Sequence, residues 1–476
     1  MRSRLRYSLH RAMTQSASTF SPCEGQPGLP PIRVAGHRGE RLASYGFAAV
    51  FFAGVVLRLF VVVLPGDGMR TPWGGGGDTA AYVLLAQNIA SGRGYAYGGW
   101  PTAYRPPVYP MALAGLLRVF GTHALSVMRG LQFCAGLLVV YLCAAMAQRI
   151  FGKQAKRAAL LIALFCPTLV FMTGEILSET IAALCTAAFF YLLVLYWQKP
   201  SWLILSGASL VAGAATLVRF NMVLFGIVLL AAIFLRKSSL STGRGVALAI
   251  LLPVLVVSPW LIRNFVVFHG ALLLSTESGP TAVMGILAPQ GRAVPGDSER
   301  LQNNLGWLPP NDIETNDASR NRLPSEAVLN RRAWGVAFSL WKNAGWALVP
   351  LTLRKFSYFW LSTDQLLSME SFRKVVRMGR AGGVVVYWGL LLLAIAGWFQ
   401  LRSRFPAVAH LFLFYCVLAT ILHAPFNMNT RLRVPLIDPL LPVLASACWL
   451  GFVVARVSGE NEELLNSPQR AVRNEA

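Results

Sequence analysis

The sequence predicts an all-α polytopic transmembrane bundle, and three observations carry that expectation. Apolar residues make up 55% of the 476 and charged residues only 13%, where an ordinary soluble domain carries about 25% charged residues. The apolar residues fall in blocks of about 20, the length an α-helix needs to cross a bilayer core. Lys and Arg collect in the short connections between blocks, which is the charge bias of membrane topology. A mean hydropathy of +0.53 agrees with all three.

Residues 1–43, rich in Arg, Ser, Pro and Gly, read as a disordered basic cytoplasmic tail. The first apolar block opens only near Ser44 and no small-residue cleavage pattern follows it, which speaks against a cleaved signal peptide. Spans are predicted at 44–64, 127–148, 157–174, 177–197, 202–218, 220–236, 245–262, 382–400, 405–424 and 434–455. The stretch 157–197 also reads as one long helical hairpin, so the number is about ten, reaching eleven or twelve if further segments cross.

The connections set the orientation. Arg33, Arg38 and Arg41 precede the first span, Arg149, Lys153, Lys156 and Arg157 join the second to the third, and Arg236, Lys237 and Arg244 join the sixth to the seventh. With Arg402 and Arg404, all are cytoplasmic if the N terminus is inside. Loops 65–126 and 263–381 are then external, the tail 456–476 is cytoplasmic, and the membrane expected is a bacterial cytoplasmic (inner) membrane. Within the second loop, Trp334, Trp341, Trp346 and Trp360 alternate with Lys342, Arg354 and Lys355 over 333–362. That pattern predicts an interfacial helix; an eleventh span there would invert everything after it.

A net charge of +23 raises nucleic-acid binding. The basic residues lie between apolar blocks with no separate basic domain, so the charge belongs to topology and anionic lipid, and no nucleic-acid partner is expected. Of the seven cysteines, six fall in apolar blocks and read as small core residues, and none shows metal or disulfide spacing.

The loop 74–110 carries the densest signal: GGGGDTAAYVLLAQNIASGRGYAYGGWPTAYRPPVYP. Its glycines free the backbone after the first span, and Asp78 is placed to cap a helix over 79–90 that ends at Ser91-Gly92. Prolines 101, 106, 107 and 110 predict an extended, rigid return past Arg105. Capping alone is the plain reading of Asp78. Deeper in the chain, Glu175 and Glu179 are four apart, a spacing that puts both on one helical face, where a carboxylate at membrane depth needs a partner or a task. Arg58, inside the first span, is a case for snorkelling or an internal pair. Arg219, Arg263, Arg431 and Arg433 reach the external headgroup level, where an arginine fork can serve phosphate as well as anchor the chain. His123, His269 and His423 lack metal spacing.

The pattern of Asp78, Tyr82, Leu85-Ala86, Asn88, Gly92, Gly94-Tyr95 and Thr102 through Pro110 resembles the first external loop of the GT-C superfamily. It is most similar to the bacterial branch like the dolichyl-phosphate-mannose–protein mannosyltransferases. GEILSET (174–180), SPWLIRNFVVFHG (258–270) and NTRLRVPLIDPLLPVLA (429–445) fit the same resemblance, which extends over about 44–455. It implies a membrane glycosyltransferase that moves a sugar, with inversion, from a polyprenyl-phosphate-linked donor to an envelope acceptor (lipid, glycan or protein) on the external face.

Asp78 would then be the general base or an organiser of the lipid phosphate, with Glu179 as a second active-site acid. Tyr82, Tyr104, Arg105, Arg263, Arg431 and Arg433 would bind donor phosphate and substrate, with Glu175, Arg219 and Arg58 as secondary candidates. No cofactor is assigned with certainty; a divalent cation, Mg or Mn, is compatible only through carboxylates and phosphate. The protein-acceptor members carry an Asp-Glu pair in this loop, whereas Thr79 follows Asp78 here. The rival reading is a lipid or glycolipid transporter or flippase, whose usual mark is an internal repeat, and the sequence shows none.

Overall fold

A computed structural model of the protein describes residues 36–63, 76–97, 100–236, 242–270, 274–287, 325–361, 375–426 and 430–448. The expectations for 1–35, for 288–324 and for the tail 456–476 lie outside the described residues. The chain divides into two units, Met1–Ala49 and Val50–Ala476. In the first, the described stretch is helical from Gly36. Arg38, Glu40, Arg41, Leu42 and Ala43 are good helix formers, and nothing between Gly36 and the apolar block breaks the run.

Apart from one two-stranded hairpin, the described elements are helices. They are α1 (Gly36–Val63), α2 (Gly76–Ala90), β1 (Ala96–Tyr97), β2 (Trp100–Pro101), α3 (Val108–Phe120), α4 (Ala124–Phe151), α5 (Lys153–Phe165), α6 (Pro167–Gly174), α7 (Glu179–Gln198) and α8 (Trp202–Val218). Then come α9 (Leu224–Arg236), α10 (Thr242–Val267), α11 (Ser278–Leu287), α12 (Glu326–Ala344), α13 (Leu348–Leu361), α14 (Val375–Arg404), α15 (Pro406–His423) and α16 (Thr430–Leu436).

Among the described residues, six helices are long and apolar enough to cross a membrane, and the bent pair α5–α6 makes a seventh. The shorter apolar helices Trp202–Val218, Phe220–Arg236 and Asp438–Cys448 occupy three more predicted segments. The apolar run holding the second predicted span starts at Val108, well before 127, so loop 65–126 is helical over its last third. Among the described residues, no helix within 333–362 is long and apolar enough to cross. The stretch is cut at Gly345, which turns at φ +50°. It is not wholly a headgroup surface either, since Lys355 is buried and donates to the Ala424 carbonyl at 3.1 Å.

Two packing features position the functional end. Pro167 forces Cys166 to ψ 114° and bends α5 against α6 by 50°. The break frees carbonyls, and Arg58 serves them: it donates to Ala163 O at 2.7 Å, Leu164 O at 3.0 Å and Leu169 O at 3.4 Å. Arg58 is therefore a splint inside the bundle; neither snorkelling nor a carboxylate pair is needed to account for it. At the far end of α6, Gly174 lies against Val61, and a Cβ there would come within 3.0 Å of Val61 Cγ1. Below, Phe189, Phe190, Phe225, Phe412 and Tyr415 form one aromatic stack in the core. Of the described cysteines, Cys143 and Cys166 are buried, but Cys134 is exposed and so is not a core residue.

Candidate active site

Loop 1 begins with α2, which opens at Gly76 and places Asp78 in its first turn. Asp78 is thus not the cap that the sequence suggested: the helix starts two residues earlier and its carboxylate is turned to arginines. The inner face of α2 (Ala81, Tyr82, Leu85, Ala86) is buried. Tyr82 OH meets Ser178 Oγ at 3.1 Å and Thr79 Oγ1 donates to Ile176 O at 3.4 Å, fixing α2 against the segment between α6 and α7.

Gly92 and Gly94, at φ +80° and +82°, turn the chain after α2, a conformation that costs glycine little. Asn88 Nδ2 donates to Ala96 O at 2.7 Å and Tyr97 OH to Ala81 O at 3.1 Å, folding the β1–β2 hairpin back on the helix. Residues 102–107 are the rigid return. Pro110 is not part of it; it lies in the first turn of α3, where a missing N–H leaves no gap.

The return delivers Arg105 to Asp78. Asp78 Oδ1 accepts from Arg105 Nη2, and Oδ2 accepts from Arg431 Nη1. Arg431 Nε donates to Glu179 Oε1, which Arg219 Nη1 also approaches at 3.1 Å. Arg219 donates in addition to Ser178 Oγ at 3.2 Å. Arg105 Nη1 donates to Glu277 Oε1 at 3.2 Å, and its guanidinium lies 5.0 Å from the Tyr104 ring and 5.6 Å from that of Tyr82.

Six charges from α2, the return, the start of α7, the end of α8, the residues before α11 and α16 therefore form one chain. The cluster opens at one side: the Asp78 and Glu277 side chains are 26% and 31% exposed, Glu179 0%. Among the described residues nothing bonds Glu179 Oε2 or Arg105 Nε. Burial pushes the Asp78 carboxyl up, but Arg105 and then Arg431 outweigh it and hold it well below the usual carboxylate range. Burial raises Glu277 too, and there Arg105 offsets only part of the effect, so Glu277 stays above the ordinary glutamate value.

α6 ends at Gly174 and Glu175 is extended at ψ 139°, so the shared helical face with Glu179 does not exist. The carbonyls that would continue the helix are taken: Arg129 Nε donates to Gly174 O at 3.1 Å, and Gln132 Nε2 reaches Thr173 O and Glu175 O at 3.0 and 2.5 Å.

Arg263 is nearby but occupied. It donates to Thr102 O and Tyr95 O at 2.7 and 2.9 Å and lies over Tyr95, Trp260 and Phe268, clamping the hairpin to α10. Arg433 is fully buried, bonded to Asp438 at 2.9 Å and to the Phe359 and Trp360 carbonyls. With Arg58, these are arginines of the scaffold.

Sequence reasoning missed Glu277, Ser178 and Glu326. Glu326 Oε2 accepts from Thr102 Oγ1 at 2.9 Å, Ala103 N at 3.1 Å and Thr276 Oγ1 at 2.8 Å, tying the return of loop 1 to the residue before Glu277. Only the long-range fold puts these groups together, and no local motif marks them. His423 is buried between Asn221 and the Ala419 carbonyl. No group of three or more His, Cys, Asp or Glu able to hold a metal ion occurs among the described residues. Asp78, Glu179 and Glu277 each carry a guanidinium instead, so the donor set does not fit a divalent cation.

The family model for dolichyl-phosphate-mannose-protein mannosyltransferases matches residues 104–262, the stretch that holds Arg105, Ser178, Glu179 and Arg219. No curated protein sequence matches the chain. Among solved structures, the apo oligosaccharyltransferase of Archaeoglobus fulgidus is similar at 14% identity and TM-score 0.49, covering 88% of this chain and 52% of that one. The chain thus spans about half the length of that enzyme. ArnT from Cupriavidus metallidurans is similar at 16% identity, with TM-score 0.38 in the apo state, covering 85% of this chain and 78% of that one. Its form bound to undecaprenyl phosphate has TM-score 0.36 at 16% identity, covering 86% and 78%. The family match agrees with the resemblance carried by the first loop.

Proposed function

We propose that this chain, a membrane glycosyltransferase of the GT-C type, transfers a sugar from a polyprenyl-phosphate-linked donor to an envelope acceptor on the external face, with inversion. The observation that carries the reading is the convergence of Arg105, Arg219 and Arg431 on Asp78 and Glu179. Three guanidiniums in one opening suit a phosphate, because their forked donors match its oxygens. As the C1–O bond to the carrier breaks, negative charge grows on the leaving lipid phosphate. Cations already in place stabilise that charge without reorganising.

Of the two roles open to Asp78, base or organiser, its clamp between two guanidiniums supports the second. Arg431, shared by Asp78 and Glu179, is held as a fork ready to donate to a phosphate oxygen. Tyr82 and Tyr104 flank Arg105 and hold its plane. Thr79 is buried on Ile176 O, so the place of a second loop acid is filled by a packing contact, which favours a lipid or glycan acceptor over a protein. No step is derived through a metal.

The external location is supported by the two ends of the helices. Glu179 opens α7 and Arg219 closes α8, both at the cluster. At the other end of α7, Gln198 bonds Arg149 O at 2.8 Å and Arg236 bonds Trp197 O at 2.7 Å, among the basic connections. The site and the cytoplasmic charge are at opposite ends.

The test is sugar transfer from labelled polyprenyl-phosphate sugars to unlabelled membranes. Wild type should transfer, and Asp78→Asn, still inserted in the membrane, should not. Full activity in Asp78→Asn sinks the assignment; lipid flipping in proteoliposomes without any transfer would establish the transporter reading instead.

A further inference from the structure

We infer that Glu277 accepts the proton of the acceptor hydroxyl as the new glycosidic bond forms, a role that rests on the transferase reading above. The geometry distinguishes it from the other two carboxylates. Asp78 is held by Arg105 and Arg431, one on each oxygen, and Glu179 by Arg431 and Arg219 in a side chain of 0% exposure. Among the described residues Glu277 has one cation, Arg105 Nη1 at 3.2 Å, and it is the most exposed of the three at 31%. A base needs a free lone pair that an entering hydroxyl can reach.

Its position is fixed rather than floating. Glu277 N donates to Ser275 Oγ at 2.9 Å, and its carbonyl accepts from Thr281 N at 3.1 Å and from Thr281 Oγ1 at 2.8 Å, starting α11. Glu326 holds the preceding Thr276 to the return that carries Arg105. One buried carboxylate, Glu326, therefore ties the residue before Glu277 to the return that carries Arg105. Arg105 joins the two tasks, giving Nη2 to Asp78 and Nη1 to Glu277.

The step balances. The acceptor oxygen bonds to sugar C1 as the bond from C1 to the phosphate oxygen breaks. The hydroxyl proton passes to the Glu277 carboxylate, and the electron pair of the broken bond leaves with the polyprenyl phosphate, facing Arg105, Arg219 and Arg431. The charged and titratable groups around Glu277 are Arg105, Asp78, Arg219, Arg431 and Tyr104. Loss of water contact keeps the Glu277 proton affinity above that of an ordinary glutamate although Arg105, Arg219 and Arg431 pull it down, the direction that favours a base working near neutral pH.

The experiment uses purified full-length protein, lipid-linked sugars from labelled cells lacking the protein, and unlabelled membranes of those cells as acceptor. Glu277→Gln should lower turnover by about 10²–10⁴-fold, with the donor KM within about threefold of wild type. Glu277→Ala should regain at least about tenfold with added formate, which replaces the missing base. Turnover of Glu277→Gln within about threefold of wild type overturns the proposal, as does a raised donor KM with turnover kept, which would make Glu277 a phosphate-site residue. If Glu277→Gln no longer binds polyprenyl phosphate, Glu277→Ala decides, and absence of formate rescue there counts against the role. Wild-type protein that transfers nothing defeats the transferase reading itself, a separate outcome from any of these.

Discussion

Arg105, Arg219 and Arg431 at the loop end, and Arg58 and Arg433 within the bundle, are all buried or nearly so, yet their partners differ. The first three face side-chain carboxylates at an opening, with exposures of 11%, 14% and 19%. Arg58 is spent on backbone carbonyls at a helix break, and Arg433 on carbonyls and a fully buried Asp438. Carbonyls of the fold cannot move aside for a ligand; an ion pair at an opening can exchange one anion for another. What separates a binding arginine from a splint is a carboxylate partner that reaches the opening, which Asp78 does at 26% exposure and Asp438 does not at 0%.

That contrast can be broken in order of expected effect. Asp78→Asn loses the anion that aligns two guanidiniums, and transfer should fall by about 10³-fold or more while insertion is kept; near-wild-type turnover would refute the alignment. Arg431→Met should lower kcat/KM by about 10²–10³-fold, and Arg431→Lys should recover little of it, because a point charge cannot bridge two acids as a fork does.

Arg58→Met should do the reverse. It leaves carbonyls unmet at about 1–3 kcal/mol each, so the thermal midpoint drops while turnover per folded molecule stays within about threefold. A loss of turnover with stability unchanged would move Arg58 into the site. Arg263→Lys should show the smallest effect, a fall of about three- to tenfold as the hairpin loosens, read as activity against temperature.

The acids separate by pH. The folded-state pKa of Asp78 is depressed, so its contribution to stability is present above its unfolded value of about 3.9 and is lost only as pH falls through the folded value. Glu277 runs the other way: its folded pKa is raised, so stability declines as pH rises from its unfolded value of about 4.3 through the folded one. The acid limb of turnover should therefore be displaced upward from the ordinary glutamate value, and Glu277→Asp should move it while Arg58→Met should not.

Much of the membrane frame was legible, because each span is a local apolar run and needs no partner to be recognised. Asp78, Arg105 and Glu179 were legible through the loop pattern and the cost of charge at depth. Arg431 was picked together with Arg433, two residues away on a seven-residue helix, and only tertiary contacts tell the bridge from the buried pair. Glu175 misled because the spacing of four assumes an unbroken helix, which Gln132 and Arg129 interrupt by taking its carbonyls. Glu277 and Glu326 carry no local signal: one precedes a short helix, the other begins a long one, and their importance arises from contacts across 172 and 224 residues of chain.

The most direct test of the account is equilibrium binding of polyprenyl phosphate to the purified full-length protein. Wild type should bind, Arg431→Met should bind at least about tenfold more weakly, the scale of one lost charge-assisted contact, and Arg58→Met should bind as wild type does. Equal binding by wild type and Arg431→Met would contradict the claim that this cluster is the phosphate site.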